Sequence, residues 1–185
     1  MHWADVIAER LAERGDSHVM ATGITPSGPI HVGNMREVLT ADMVIRACER
    51  IDLKAELVYI ADSADPLRKV YPFLEEEQYA EHVGHALATI PSPDGNGNYS
   101  DYFLRPFFSA LDDLGVEYRV VDAFESYKEG KYTDYTKTAI AHRAEISDII
   151  QEVSQRPLDE DWFPYNPIDD EGNMHGLKVT ACEWP

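Results

Sequence analysis

Apolar residues at Trp3, Val6, Ile7 and Leu11 recur at the spacing of one helical face and Gly15 follows them, which predicts an amphipathic helix over 3–14. The run His18-Val19-Met20-Ala21-Thr22-Gly23 has a strand's short apolar pattern. The glycine and prolines of Ile24-Thr25-Pro26-Ser27-Gly28-Pro29 then force a loop. Residues 32–50 are rich in helix formers, with Val38, Leu39, Met43, Val44 and Ala47 in helical register, and predict a long helix. Residues 55–61 read as a buried strand, ended by the turn formers Asp62-Ser63-Ala64-Asp65-Pro66. Strand, loop, helix and strand make a βαβ unit.

A helix is predicted over about 75–87, a turn-rich loop over 91–98, a second helix over about 100–114 and a third strand over 116–121. Strands separated by helices imply parallel pairing, since parallel neighbours need crossovers of that length. The predicted class is α/β, a Rossmann-like doubly wound parallel sheet. Past Asp122 the pattern predicts a short helix over 123–131 and a longer one over 133–153, with Thr133 as its N-cap. Residues 155–185 carry Pro157, Pro164, Pro167 and Pro185 with little periodicity and read as irregular. The expected division is therefore 1–124, part of a sheet domain, and 125–185, the start of a helical and irregular insertion.

Composition changes this picture in one respect. An apolar content of 44% over 185 residues supports a core, and no apolar run is long enough to suggest a membrane span. The first residues lack a signal peptide's basic and apolar regions, so a cytoplasmic protein with no membrane partner is expected. Cys48 and Cys182 lie far apart in sequence and Cys48 falls inside a helical pattern, so neither a disulfide framework nor a complete metal knuckle is legible. The unusual quantity is charge: 34 acidic against 16 basic residues give −18. The acids are spread along the chain, and self-repulsion of this kind is relieved at high ionic strength, so a salt-adapted (halophilic) protein is expected.

The chemistry-bearing stretch is Gly23 to Asn34, between the first strand and the long helix. There a ligand can approach the backbone past small residues, and the helix start offers unpaired N–H groups to phosphate. The stretch is neither a Gly-x-Gly-x-x-Gly nor a Gly-x-x-x-x-Gly-Lys-Thr loop, which argues against hydride transfer and P-loop hydrolysis. In His31-Val32-Gly33-Asn34 an imidazole and a carboxamide stand at the helix start, suited to stabilising charge on a transferring phosphate.

This segment resembles the His-Ile-Gly-His signature of class I aminoacyl-tRNA synthetases. With Asn34 in fourth place and Thr25-Pro26-Ser27-Gly28-Pro29-Ile30 before it, it is similar to the variant in the class I lysyl-tRNA synthetase family. Further segments resemble that family in order and spacing: Ala61-Asp62, Asp65-Pro66-Leu67-Arg68-Lys69-Val70-Tyr71-Pro72, Tyr127-Lys128-Glu129-Gly130-Lys131-Tyr132, Arg156-Pro157-Leu158, Trp162 and Asn166-Pro167-Ile168. The resemblance implies activation of lysine with ATP and Mg²⁺, and ligation to tRNA(Lys). It implies His31 and Asn34 as catalytic residues, Pro26, Ser27, Gly28 and Gly33 beside them at ATP, and Gly23 and Thr25 at the amino acid. An ammonium group also needs anionic partners, for which Asp62 and Asp65 are the candidates. Turn formation is their competing role.

The family often carries a cysteine-based zinc motif after a segment like Asn166-Pro167-Ile168. Here Asp169 and Asp170 stand in its place and only His175 and Cys182 follow, so no zinc is expected. His82, His85, His142 and His175 are expected in surface or capping roles, Arg68 and Lys69 in pairs with carboxylates, and Phe107, Phe108 and Tyr118 in the core. The family's Lys-Met-Ser-Lys-Ser type of loop has no counterpart, so the sequence reads as an N-terminal fragment, inactive alone, from a truncated or partially sequenced gene. Two other readings remain open: a small nucleotidyltransferase that adenylylates a cofactor precursor, and a non-catalytic module binding ATP or tRNA-related partners.

Overall fold

The computed structural model describes residues 2–183. Helix α1 (Trp3–Ala12) precedes strand β1 (Ser17–Ile24), helix α2 (Val32–Glu49) and strand β2 (Lys54–Ala61). Next come a one-turn α3 (Glu76–Tyr79), a 3₁₀ turn (Ala80–His82), α4 (Tyr99–Asp113) and β3 (Arg119–Asp122). Helices α5 (Ala123–Lys128), α6 (Thr133–Ala141) and α7 (Arg143–Ser154) follow.

The strands form one parallel sheet in the order β1-β2-β3, with Ser17 opposite Lys54 and Val58 opposite Arg119. This is one βαβαβ half of the doubly wound arrangement. Because side chains alternate along a strand, Leu57, Tyr59 and Ala61 of β2 share a face. They pack against Val38 and Ile45 of α2 and Leu104, Phe107 and Leu111 of α4. Each such side chain contributes about 1.5–3 kcal/mol when fully buried. Phe107 lies in this core, and Phe108 and Tyr118 pack against it. On the opposite face of β1, Val19 and Ala21 are exposed.

Helix α1 lies on α2 through Ala4, Ala8, Val44, Ala47 and Cys48. Arg50 ties the pair together by an ion pair to Asp5. A third cluster, including Leu67, Tyr79, Leu87, Tyr99 and Phe103, joins the segment after β2 to α4.

Three predicted elements differ. The helix over 75–87 shrinks to α3 and the 3₁₀ turn because its second half spends its backbone on tertiary partners. Gly84 N–H donates to Leu67 O (2.8 Å), Leu87 N–H to Asp65 O (2.9 Å) and Ala88 N–H to Ser63 O (3.0 Å). The helix over 133–153 is two helices meeting at His142, and Tyr132 rather than Thr133 occupies the N-cap position, without a side-chain hydrogen bond. His142 N–H still donates to Thr138 O and its carbonyl accepts from Ile146 N–H, so the bend needs no glycine or proline to mark it. Strand β3 pairs only from Arg119, while Val116 is buried in the core as part of its approach.

Candidate functional site

The candidate site lies at the carboxyl edge of the sheet, where the loops after the strands are fastened to one another. Asp62 N–H donates to Ile24 O (3.1 Å), and Thr25 Oγ1 donates to Asp65 Oδ2 at 2.5 Å, which joins the loops after β1 and β2. Ser63, fully buried, donates from Oγ to Asp122 Oδ1 (2.7 Å) and joins β2 to β3. Asp122 also caps α5 by accepting from Glu125 N–H (2.9 Å).

His31 is the N-cap of α2. Its Nδ1 accepts from Gly33 N–H (3.0 Å), and its own N–H donates to Asn34 Oδ1 (3.3 Å), which makes a reciprocal capping box. An Nδ1 that accepts fixes the proton of the neutral ring on Nε2, so the imidazole presents an N–H outward. The Asn34 oxygen is likewise occupied, which leaves its NH₂ as the free donor. Gly33 is required for this arrangement, because a Cβ there would lie 2.8 Å from His31 Cε1 and 2.9 Å from Nδ1. The same cap occurs at α1, where His2 Nδ1 accepts from Ala4 N–H (3.3 Å). A histidine cap is therefore not functional by itself; what distinguishes His31 is the hollow beside it.

That hollow, about 250 Å³, is lined by Thr25, Ser27, Gly28, His31 and Asn34 and walled by the stacked rings of Tyr71 and Phe73 (centroids 5.5 Å apart). Ser27 is held from behind by Tyr99, whose hydroxyl donates to Ser27 O (2.8 Å). Five residues of the predicted set stand apart from this cavity wall: Asp62 and Asp65, in the loop after β2, and Pro26, Gly33 and Gly23. Pro26 is buried beneath the loop, Gly33 lies behind the His31 ring, and Gly23 is in the sheet, where a Cβ would meet Ile60 O at 2.7 Å. The sheet's own packing thus calls for glycine at position 23.

Asp62 is half-buried, and burial followed by the neighbouring Asp65 charge raises its carboxyl above the usual range. Asp65 lines a second cavity of about 210 Å³ with Tyr127 and Tyr165. Tyr127 is raised above the ordinary phenol value by burial, then by Tyr165 and Tyr132, with further contributions from Asp62 and Asp65. Lys69 lies over the Tyr71 ring (5.5 Å to its centroid) instead of on the expected carboxylate. Asp169, by the predicted zinc position, spends Oδ1 on Glu171 N–H (3.0 Å) and Asn173 N–H (2.8 Å) in a turn.

Sequence reasoning did not single out Phe73, Tyr99 or Tyr165 as site residues, and it quoted Tyr71 and Tyr127 only within family-like segments. The i, i+2 pair Tyr71 and Phe73 just after the Asp65 loop was the available signal for the wall. Nothing local marked Tyr165, which reaches the site through chain return.

A parallel α/β sheet with a donor-rich helix start beside a hollow at its carboxyl edge is an arrangement that can receive a phosphate-bearing ligand. The family described as tRNA synthetases class I (K) matches residues 1–183, and the chain belongs to it. A lysine–tRNA ligase 1 of Methanosarcina acetivorans is 54% identical over 185 residues, covering 99% of this chain and 34% of the relative. Lysine–tRNA ligases of Archaeoglobus fulgidus and Methanocaldococcus jannaschii are each 48% identical, covering 99% and 100% of this chain and 37% and 35% of the relatives. The chain spans about a third of the length of the curated relatives it matches. No helix among the described residues is long and apolar enough to cross a membrane.

Proposed function

We propose that these residues form the ATP-binding half of an enzyme that activates lysine and ligates it to tRNA(Lys). The lysine carboxylate attacks the α-phosphorus of ATP and pyrophosphate leaves; a tRNA hydroxyl then takes the lysyl group from the adenylate and AMP leaves. The carboxylate is already a competent nucleophile, so positioning and charge stabilisation carry the step and no protein base is needed. The observation that carries this reading is the pair of outward donors, His31 Nε2–H and the Asn34 NH₂, set by the capping box beside the cavity.

In this reading Ser27 and Gly28 line the nucleotide side, with Pro26 and Gly33 supporting the loop. Thr25, Asp65 and Asp62 serve the amino acid, and Gly23 shapes the strand beneath them. His31 and Asn34 offer donors, which suit phosphate oxygens and not a cation. Mg²⁺ would therefore arrive on the triphosphate, held by other phosphate oxygens and water, and would neutralise its charge.

We assign residues 1–124 to the catalytic domain and 125–185 to the start of a connecting insertion, which is supported by the sheet's last pairing at Asp122. We place the enzyme in the cytoplasm on the functional reading alone. The spread acidity supports a salt-adapted protein, and residues 1–185 alone are proposed to bind nucleotide without turnover.

The test is lysine-dependent ATP–pyrophosphate exchange in a protein of the relatives' full length. Loss of a preorganised donor at developing charge costs about 10²–10³-fold, so His31→Ala and Asn34→Ala should each lower exchange on that scale. Exchange that ignores lysine, or that survives both substitutions, overturns the proposal.

A further inference from the structure

The exposed turn that leads into α4 carries chemistry that the proposed function does not use. We propose that Asn96 is a site of spontaneous deamidation, in which the Gly97 backbone nitrogen attacks the Asn96 side chain, and that the fold confines this reaction to that one asparagine.

The step exchanges one amide for another. The Gly97 nitrogen bonds to Asn96 Cγ, the Cγ–Nδ2 bond breaks, and Nδ2 leaves as ammonia with the proton that Gly97 gives up. Water then opens the cyclic imide. Cleavage of the bond to Cγ leaves aspartate at position 96, and cleavage of the bond to the backbone carbonyl carbon leaves isoaspartate. Either product carries a carboxylate where the amide stood, and the second adds a methylene to the main chain.

The attacking group is the following residue's nitrogen stripped of its proton, so a hydrogen bond that holds that N–H suppresses the reaction. Of the five asparagines, four are blocked in this way or lack the N–H. After Asn34, Met35 N–H donates to His31 O (3.2 Å); after Asn98, Tyr99 N–H donates to Ile90 O (3.0 Å); after Asn173, Met174 N–H donates to Gly84 O (2.8 Å). Asn166 precedes Pro167, which has no N–H. Gly97 N–H has no hydrogen-bond partner among the described residues.

Space and backbone freedom favour the same position. Asn96 and Gly97 are exposed, and a Cβ at Gly97 would meet nothing within 4 Å. The Asn96 side chain is tied only by Nδ2 donating to Asp94 O (3.2 Å), and Gly95 and Gly97, both at positive φ, let the tip of the turn rotate.

The same turn contains Asp94-Gly95, which closes an identical ring when the carboxyl is protonated and loses water. Here it is held back twice. Gly95 N–H donates to Ser92 O (3.1 Å). Asp94 Oδ1 accepts from the Ser92 hydroxyl (2.7 Å) and from Asn96 N–H (3.0 Å), which hold the carboxyl below its usual range and keep it ionised, a form without a leaving group.

The experiment ages the folded 185-residue chain at mildly alkaline pH beside the same chain in denaturant, and locates conversion by fragmenting its peptides in a mass spectrometer. Isoaspartate is read separately, by methyl transfer from S-adenosylmethionine with an isoaspartyl methyltransferase. In the folded chain acid should accumulate at Asn96 alone, with methyl label on the same peptide. In denaturant Asp94 should isomerise, and Asn34, Asn98 and Asn173 should begin to convert. Asn96→Gln, with circular dichroism showing it folded, should lose the label, because the longer side chain closes its ring far more slowly. An intact Asn96 in the folded chain while the denatured chain converts, conversion elsewhere in the folded chain that matches Asn96, or label that persists in Asn96→Gln overturns the proposal.

Discussion

The His31 arrangement is most directly tested by Gly33→Ala. An alanine Cβ would sit 2.8 Å from His31 Cε1 and 2.9 Å from Nδ1, inside contact distance, so the ring must swing away. The swing breaks the Gly33 N–H to Nδ1 bond and with it the tautomer that holds a proton on Nε2. Loss of an N-cap side-chain bond costs roughly 0.5–2 kcal/mol. Alanine in place of glycine within a helix returns about 1 kcal/mol. Global stability should therefore move by no more than about 1 kcal/mol either way. Ligand binding should not be spared in this manner, because a hydrogen bond to a charged group is worth about 1.5–3 kcal/mol. That is about a 10–150-fold weakening of ATP. Thermal unfolding, ATP titration and imidazole ¹⁵N shifts on the same samples separate the two effects. If Gly33→Ala gains the full helical stabilisation while ATP affinity and the imidazole signals stay unchanged, the ring does not depend on Gly33 and the argument fails.

Three further outcomes are expected. Asp62 has a raised folded-state value, so its contribution to stability is fully present below the unfolded carboxyl value of about 4 and is lost as pH rises through the folded one. Asp62→Asn should therefore raise Tm at pH 7 and lose that advantage near pH 3; an advantage that persists at pH 3 refutes the electrostatic cause. Tyr59 is fully buried and its hydroxyl has no hydrogen-bond partner among the described residues, so Tyr59→Phe should stabilise the fold by about 1 kcal/mol, and denaturant unfolding showing a comparable loss contradicts this. With a charge of −18, stability should climb between about 0.1 and 1 M KCl as the Debye length falls from about 10 to 3 Å; a flat Tm across that range removes the case for salt adaptation.

How much of this was legible depends on whether the deciding forces were local. The first βαβ unit was readable because its periodicity, loop residues and helix start agree with one another. Residues 17–61 fold within a residue or two of the predicted boundaries. The place of His31 and Asn34 at the start of α2 was readable for the same reason, since the capping box is formed within four consecutive residues. The helix over 75–87 misled because its apolar spacing suits a helix, whereas its amides are claimed by Ser63, Asp65 and Leu67 across the fold. The bend at His142 left no compositional mark. The partnership of Thr25 with Asp65 spans 40 positions, and that of Tyr127 with Tyr165 depends on the return of an irregular segment. Neither can be seen in a local window.

The hydroxyl of Thr25 bridging to Asp65 makes the two proposed ligand sites, for nucleotide and for amino acid, share one mechanical part. If an ammonium draws on the Asp65 carboxylate, the loop that carries Ser27 and His31 is pulled or released with it, so the occupancy of one cavity sets the affinity of the other. Linkage requires the influence to be mutual: whatever factor the amino acid lends to the nucleotide, the nucleotide must return. Cutting the bridge with Thr25→Val should leave both ligands bound yet indifferent to each other.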